Sequence, residues 1–238
     1  MPSPQSEMIA IAVKQGVKEL KFNFPENWGD LSFRQLHEIV KLKESETANN
    51  YELVRVILGL DKASFETLPI DFFLSLERVL LDWVSKEVDL QNKELPNVFW
   101  FRDKATLLPT NIGELSIAQY KDAQQIFTDL QELAKKQDRE ILESEMLGLY
   151  PLLLATYLQP ILEGKEYNYK EADLLIADIW ECAGLEVLAF ANFFFHKVAH
   201  LRSGTKKGAQ KFLIQESKYK LVMKVLRRVG ALFLLLKN

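Results

Sequence analysis

His196 and His200 stand four residues apart in His-Lys-Val-Ala-His, a spacing that puts both imidazoles on one face of a helix and could start a metal site. The residue that would act as base in His-Glu-x-x-His is Lys197, and no neighbouring Asp or Cys completes a tetrahedral set, so the pair reads as the rim of a packed helix. The single cysteine, Cys182, lies beside Glu181 in an apolar helical setting; both features raise a thiol's pKa, which makes it a poor nucleophile. His37 is in a different helix with Glu38, and nothing in the sequence ties it to Cys182. Glu143 and Glu145 read as members of a solvated charge run. The glycines form neither G-x-G-x-x-G nor G-x-x-x-x-G-K-[ST], so no phosphate cradle is predicted. The expectation is a protein without catalytic residues, metal or cofactor.

The elements that carry these residues are organised by a repeat. Pro25, Asn27, Gly29, Leu31, Ser32 and Gln35 recur as Pro109, Asn111, Gly113, Leu115, Ser116 and Gln119, a constant offset of 84 residues. Such a self-match marks a duplicated structural unit. Its physical content is a helix start: Ser32-x-x-Gln35 and Ser116-x-x-Gln119 both read as capping boxes, each worth about 1 kcal/mol. Leu31 and Leu115 are placed to staple onto the first turn at Leu36 and Tyr120. Gly29 and Gly113 are expected to supply a backbone conformation that other residues resist.

Each copy has the same preface. Ile9, Ile11 and Val13, then Leu20, Phe22 and Phe24, alternate on either side of Gln15-Gly16, and Val98 to Phe101 and Thr106 to Leu108 flank Arg102 to Ala105. Both patterns predict β-hairpins. Helices are predicted from about Phe33 to Lys43, Tyr51 to Leu60, and from Leu68-Pro69 onward with Phe72, Phe73, Leu76, Val79, Leu80 and Trp83 on a core face. In the second copy they run over Ile117 to Met146, over Leu147 to Leu162 with Pro151 in the first turn and Pro160 breaking the end, and over Lys170 to Cys182, where Trp180 is the counterpart of Trp83. Leu185 to Leu201 is apolar all round, as in a buried helix.

The fold class is therefore α+β, mainly α, built from two tandem β-hairpin-plus-helices units with a basic amphipathic helix at the C-terminal side. The corresponding segments are residues 1–95, 96–202 and 203–238. With 238 residues, 48% hydrophobic and 26% charged, the chain is ordinary globular material. No charged and apolar leader is recognised at its start, no apolar run reaches the roughly 18 residues of a membrane-spanning helix, and a lone cysteine forms no internal disulfide, so a reducing compartment is expected.

Charge is unevenly spread. Residues 203–238 hold nine Lys/Arg against one acid, Glu216, leaving 21 bases and 32 acids in the remainder. After a basic linker, Ser203 to Gly208, the predicted helix carries Leu221, Val222, Val225, Leu226, Val229, Leu232, Phe233 and Leu236 on one side. Lys220, Lys224, Arg227 and Arg228 lie opposite, and these with Lys218 are the candidate partner-binding residues. Such a helix suits the chain's own acidic body, a partner protein's groove or an anionic surface. It lacks the interleaved aromatics of a single-strand stacking platform, so nucleic acid is not the expected partner, and neither is a membrane.

The run from Phe24 through Pro25, Trp28, Leu31, Ser32 and Gln35 to Leu36, followed by a helical body, resembles the start of small acidic helical proteins of tailed bacteriophages and prophages, above all tail assembly chaperones. Tyr157-Leu158-x-Pro160-Ile161 and Asn192 to Phe195 add to the likeness, which extends loosely over residues 20–205. The resemblance implies a non-enzymatic assembly factor that binds the helical tape-measure protein or a tail subunit, with other tail or virion proteins or its own copies as partners. Its place would be the host cytoplasm during assembly, or the virion. The alternatives are a minor virion structural protein of the tail hub or neck, and a peripheral module binding an anionic surface.

Overall fold

The computed structural model describes residues 9–15, 18–45, 49–84, 98–102, 104–107 and 116–191. Strands β1 (Ile9–Gln15) and β2 (Lys18–Phe24) pair antiparallel, with Ile9 opposite Phe24, Ile11 opposite Phe22 and Val13 opposite Leu20, so the apolar positions share one parity. β3 (Val98–Phe101) and β4 (Lys104–Leu107) form the second hairpin. Its connection is two residues rather than the four expected, because Lys104 pairs with Phe101. Two-residue hairpins favour left-handed backbone, and Arg102 takes φ +48° there. Its guanidinium bonds Asp178 and lies 5.1 Å from the Phe101 ring, which gives an arginine a reason to occupy the turn.

After β2, Trp28–Asp30 makes one 3₁₀ turn and α1 (Phe33–Glu44) begins. α2 (Asn50–Ile57) follows, capped by Asn49, and ends at Gly59, φ +64°. A short α3 (Lys62–Glu66), capped by Asp61, leads to α4 (Ile70–Val84). Leu76 and Leu80 of α4 are buried, but Val79, expected with them, is exposed; it lies about 100° around the helix from Leu80 and about 60° from Leu76. The Trp83 side chain lies outside the described residues.

The second copy departs further from expectation. The helix predicted over Ile117 to Met146 is α5 (Ile117–Lys136) and α6 (Glu143–Gly148), separated at Asp138, φ +47°. Arg139 and Glu145 hold this break with two bonds of 2.7 and 2.6 Å, while Glu145 also accepts the Leu142 N–H. α7 (Tyr150–Glu163) places Pro151 in its first turn but carries Pro160 inside, and stops at Gly164, φ +62°. Lys170 to Cys182 is two short helices, α8 (Tyr169–Asp173) and α9 (Ile176–Glu181), because Asn168 caps the first and the chain turns at Leu174-Leu175. Residues 184–191 are helical (α10).

One connected core draws on both copies. α1 packs against α2, α6 and α9, and Phe33 lies with its ring centroid 5.2 Å from Trp180 and 6.2 Å from Tyr150. The start of α1 is clamped to the start of α10: the Phe33 N–H donates to the Cys182 carbonyl (2.9 Å) and the Gly184 N–H to the Leu31 carbonyl (2.8 Å). Any Cβ on Gly184 would meet Leu36 Cδ1 at 2.3 Å, so glycine is required by close approach. Phe99 beneath the second hairpin meets Phe190 of α10 edge to face at 5.1 Å.

Candidate functional site

The repeated block builds two consecutive caps. In the first copy Asn27 Oδ1 accepts the Gly29 N–H (2.8 Å) and Asp30 accepts the Asn27 N–H (3.1 Å), a box whose residue types recur as Asn111-x-x-Glu114. Gly29 does not use positive φ, contrary to expectation; a Cβ there would meet Asn27 Oδ1 at 2.9 Å, so the glycine makes room for the cap. Then Ser32 Oγ accepts the Gln35 N–H (3.3 Å) and Gln35 Oε1 accepts the Ser32 N–H (2.8 Å). Ser116 and Gln119 do the same at 3.2 and 3.0 Å. Leu115, Asn111 and Gly113 lie outside the described residues.

Both glutamines have a second task that no capping rule anticipates. Gln35 Nε2 donates to the Ile57 carbonyl (2.8 Å) and the Val56 carbonyl (3.3 Å), the last carbonyls of α2; the Val56 carbonyl also accepts the Gly59 N–H (3.0 Å). Gln119 Nε2 donates to the Thr156 carbonyl (2.9 Å). That carbonyl would ordinarily bond the N–H of residue 160, which is proline. The buried Gln119 therefore supplies the donor that Pro160 lacks, and α7 continues through the proline. The block joins one helix start to carbonyls of a later helix.

A polar seam joins α1 to α6. Glu44 accepts the Ser144 N–H (3.0 Å) and the Ser144 hydroxyl, and His37 Nε2 donates to the Ser144 carbonyl (3.0 Å). Serine, histidine and carboxylate meet here: the hydroxyl proton goes to Glu44, while the imidazole faces the Ser144 carbonyl rather than its hydroxyl, so the bonds brace the seam. Burial holds His37 below its ordinary pKa, and its ring stands edge-on to Trp180 at 5.0 Å. Glu143 is not the solvated group expected. Burial raises its carboxyl to about 7, with Lys43 opposing and Glu44 reinforcing the rise, and its Oε1 has no hydrogen-bond partner among the described residues. Glu145 is held below its ordinary value by Arg139. No sequence signal announced the seam, since its halves are about 100 residues apart.

Cys182 is half-buried and burial pushes its thiol up to about 12. Tyr167 is likewise raised, first by burial and then by its 2.7 Å bond to Asp122. His196, His200, Lys218, Lys220, Lys224, Arg227 and Arg228 lie outside the described residues.

Exposed large apolar groups among the described residues include Leu107 and Ile117 and two further sets. On α4, Ile70 and Leu74 are one turn apart and exposed, on the side away from Leu76 and Leu80. Around α8 and α9, Leu174 is 73% and Tyr169 57% exposed amid carboxylates. No helix among the described residues is long and apolar enough to cross a membrane. No protein-family model, curated protein or solved structure matches this chain.

Proposed function

We propose that the chain is a non-enzymatic tail assembly protein of a bacteriophage, chaperone-like, which binds an apolar helical segment of the tape-measure protein or of a tail subunit. The observation that carries this reading is the two-sided α4: Leu76 and Leu80 enter the core while Ile70 and Leu74 face outward. An apolar row at i and i+4 on a rigid helix is the anchor pattern that a second amphipathic helix uses. The Phe24 to Leu36 block supports the family, and an acidic body disfavours association with DNA while leaving the apolar row available.

The test begins with the reading frames flanking the gene, where a very long tape-measure frame and a tail-tube frame are expected. Co-expression with that tape-measure protein should give a complex, and I70D/L74D should weaken it at least tenfold with an unchanged melting temperature. Metabolic neighbours, or no complex, would sink the proposal. Stoichiometric copies in purified virions would replace it with a minor structural protein of the tail hub or neck.

A further inference from the structure

The outer face of α4 carries a pattern that is complementary to itself. Ile70 and Leu74 stand about 40° apart around the helix, and Asp71 and Arg78, seven residues apart, stand about 20° apart on one flank of that row. All four are exposed, Ile70 at 66% and Leu74 at 52%, while Leu76 and Leu80 of the same turns are buried on the other side. Glu77 borders the row on its other flank, away from both charges. Neither Asp71 nor Arg78 makes an ion pair among the described residues. The two charges also lie symmetrically about the row, each about 5 Å along the axis from the midpoint between Leu74 and Ser75.

We propose that two copies of the chain pair through this face, α4 antiparallel to α4, about a two-fold axis beside Leu74. A two-fold interface requires that a residue i which meets j be matched by j meeting i. In an antiparallel helix pair each flank meets its own counterpart, so Asp71 of each copy faces Arg78 of the other and both ion pairs form at once. Leu74 then meets Leu74 at the axis, and Ile70 covers the aliphatic stem of the opposing Arg78. The opposite signs at this spacing select the second copy as occupant. One pair of 15-residue helices falls short of the interface of about 1,200 Å² that stable complexes bury, so the dimer is a weak one in the micromolar range. The row is the same one assigned above to the client helix; resting on that reading, the second copy covers the row until a client displaces it.

Sedimentation equilibrium of the full chain over a range of concentrations tests it, with a reversible monomer–dimer equilibrium expected. D71R and R78D each set like charges opposite one another and should each weaken the dimer at least tenfold. Mixing the two single variants should bring the dimer back as a heterodimer, because one then offers only cations and the other only anions along the flank. The double variant D71R/R78D, with the charges exchanged, should recover it as a homodimer. Thermal melting followed by circular dichroism checks that each variant keeps its fold. A chain that stays monomeric at several hundred micromolar would overturn the proposal, and so would a dimer that neither reversal weakens or that mixing fails to restore. A dimer behaving as expected, without any tape-measure complex, would sink the client reading alone; a tape-measure complex with a strictly monomeric chain would sink the dimer alone.

Discussion

The two copies of the repeated block begin helices of the same design and put them to different use. In α1 the first helical residue, Phe33, is fully buried; its counterpart at the 84-residue offset, Ile117, is 76% exposed. Ile39 and Ala123 are both buried, whereas Val40 is buried and Gln124 exposed. α1 is packed on several sides, by α2, α6 and α9, while the main partner of α5 is α7. The repeated residues thus share the start of the helix and the reach of its glutamine, and the surroundings decide how much of each helix is core.

The largest expected break in the comparison is at the first residue. Phe33→Ala should cost about 3–5 kcal/mol, and Ile117→Ala should stay within about 0.5 kcal/mol, both read from urea unfolding. Comparable losses would mean that the copies are buried alike. Gly184→Ala should follow: overpacking against Leu36 costs about 1–3 kcal/mol, and since it touches only the first copy's seat, it should leave the Gln119 bond intact.

The glutamines should separate next. Gln119→Leu leaves the Thr156 carbonyl buried beneath Pro160 and should cost about 1–3 kcal/mol. Gln35→Leu should cost less, about 1 kcal/mol, because Gln35 is half-buried at a helix end that water can reach. A double-mutant cycle sharpens this: Pro160→Ala restores an N–H for Thr156, so Gln119→Leu should be milder in that background. Purely additive costs would show that Gln119 acts through its cap alone.

What could be read from the sequence was short-range. Both hairpins follow from period-two alternation, and both boxes from Ser-x-x-Gln, because the groups that decide them lie within a few residues. The interruptions were not legible. Pro160 reads as a helix stop until Gln119, far earlier in the chain, is seen to supply its missing donor. The break after α5 depends on Asp138 taking a left-handed conformation and on Arg139 folding back to Glu145. The seam needs His37 and Glu44 beside Ser144, and the exposed row on α4 becomes visible only when its other face is known to be core.

The smallest effect distinguishes α1 by its seam, which α6 shares through Glu143. A carboxyl raised from 4.5 to about 7 by folding favours the protonated native state. Its contribution is fully present below about pH 4.5, fades as pH rises through about 7, and leaves the native state burdened with a desolvated anion above that. Glu143→Gln removes this dependence. Measured from pH 4 to 8, the variant should gain stability relative to the native chain across that window, with no further gain once the carboxyl is ionised. The gain should be modest, since Glu143 is only half-buried and Lys43 offsets part of the cost. A flat difference would mean that water reaches the carboxyl, and that the α1–α6 contact is a solvated seam like the outer face of α5.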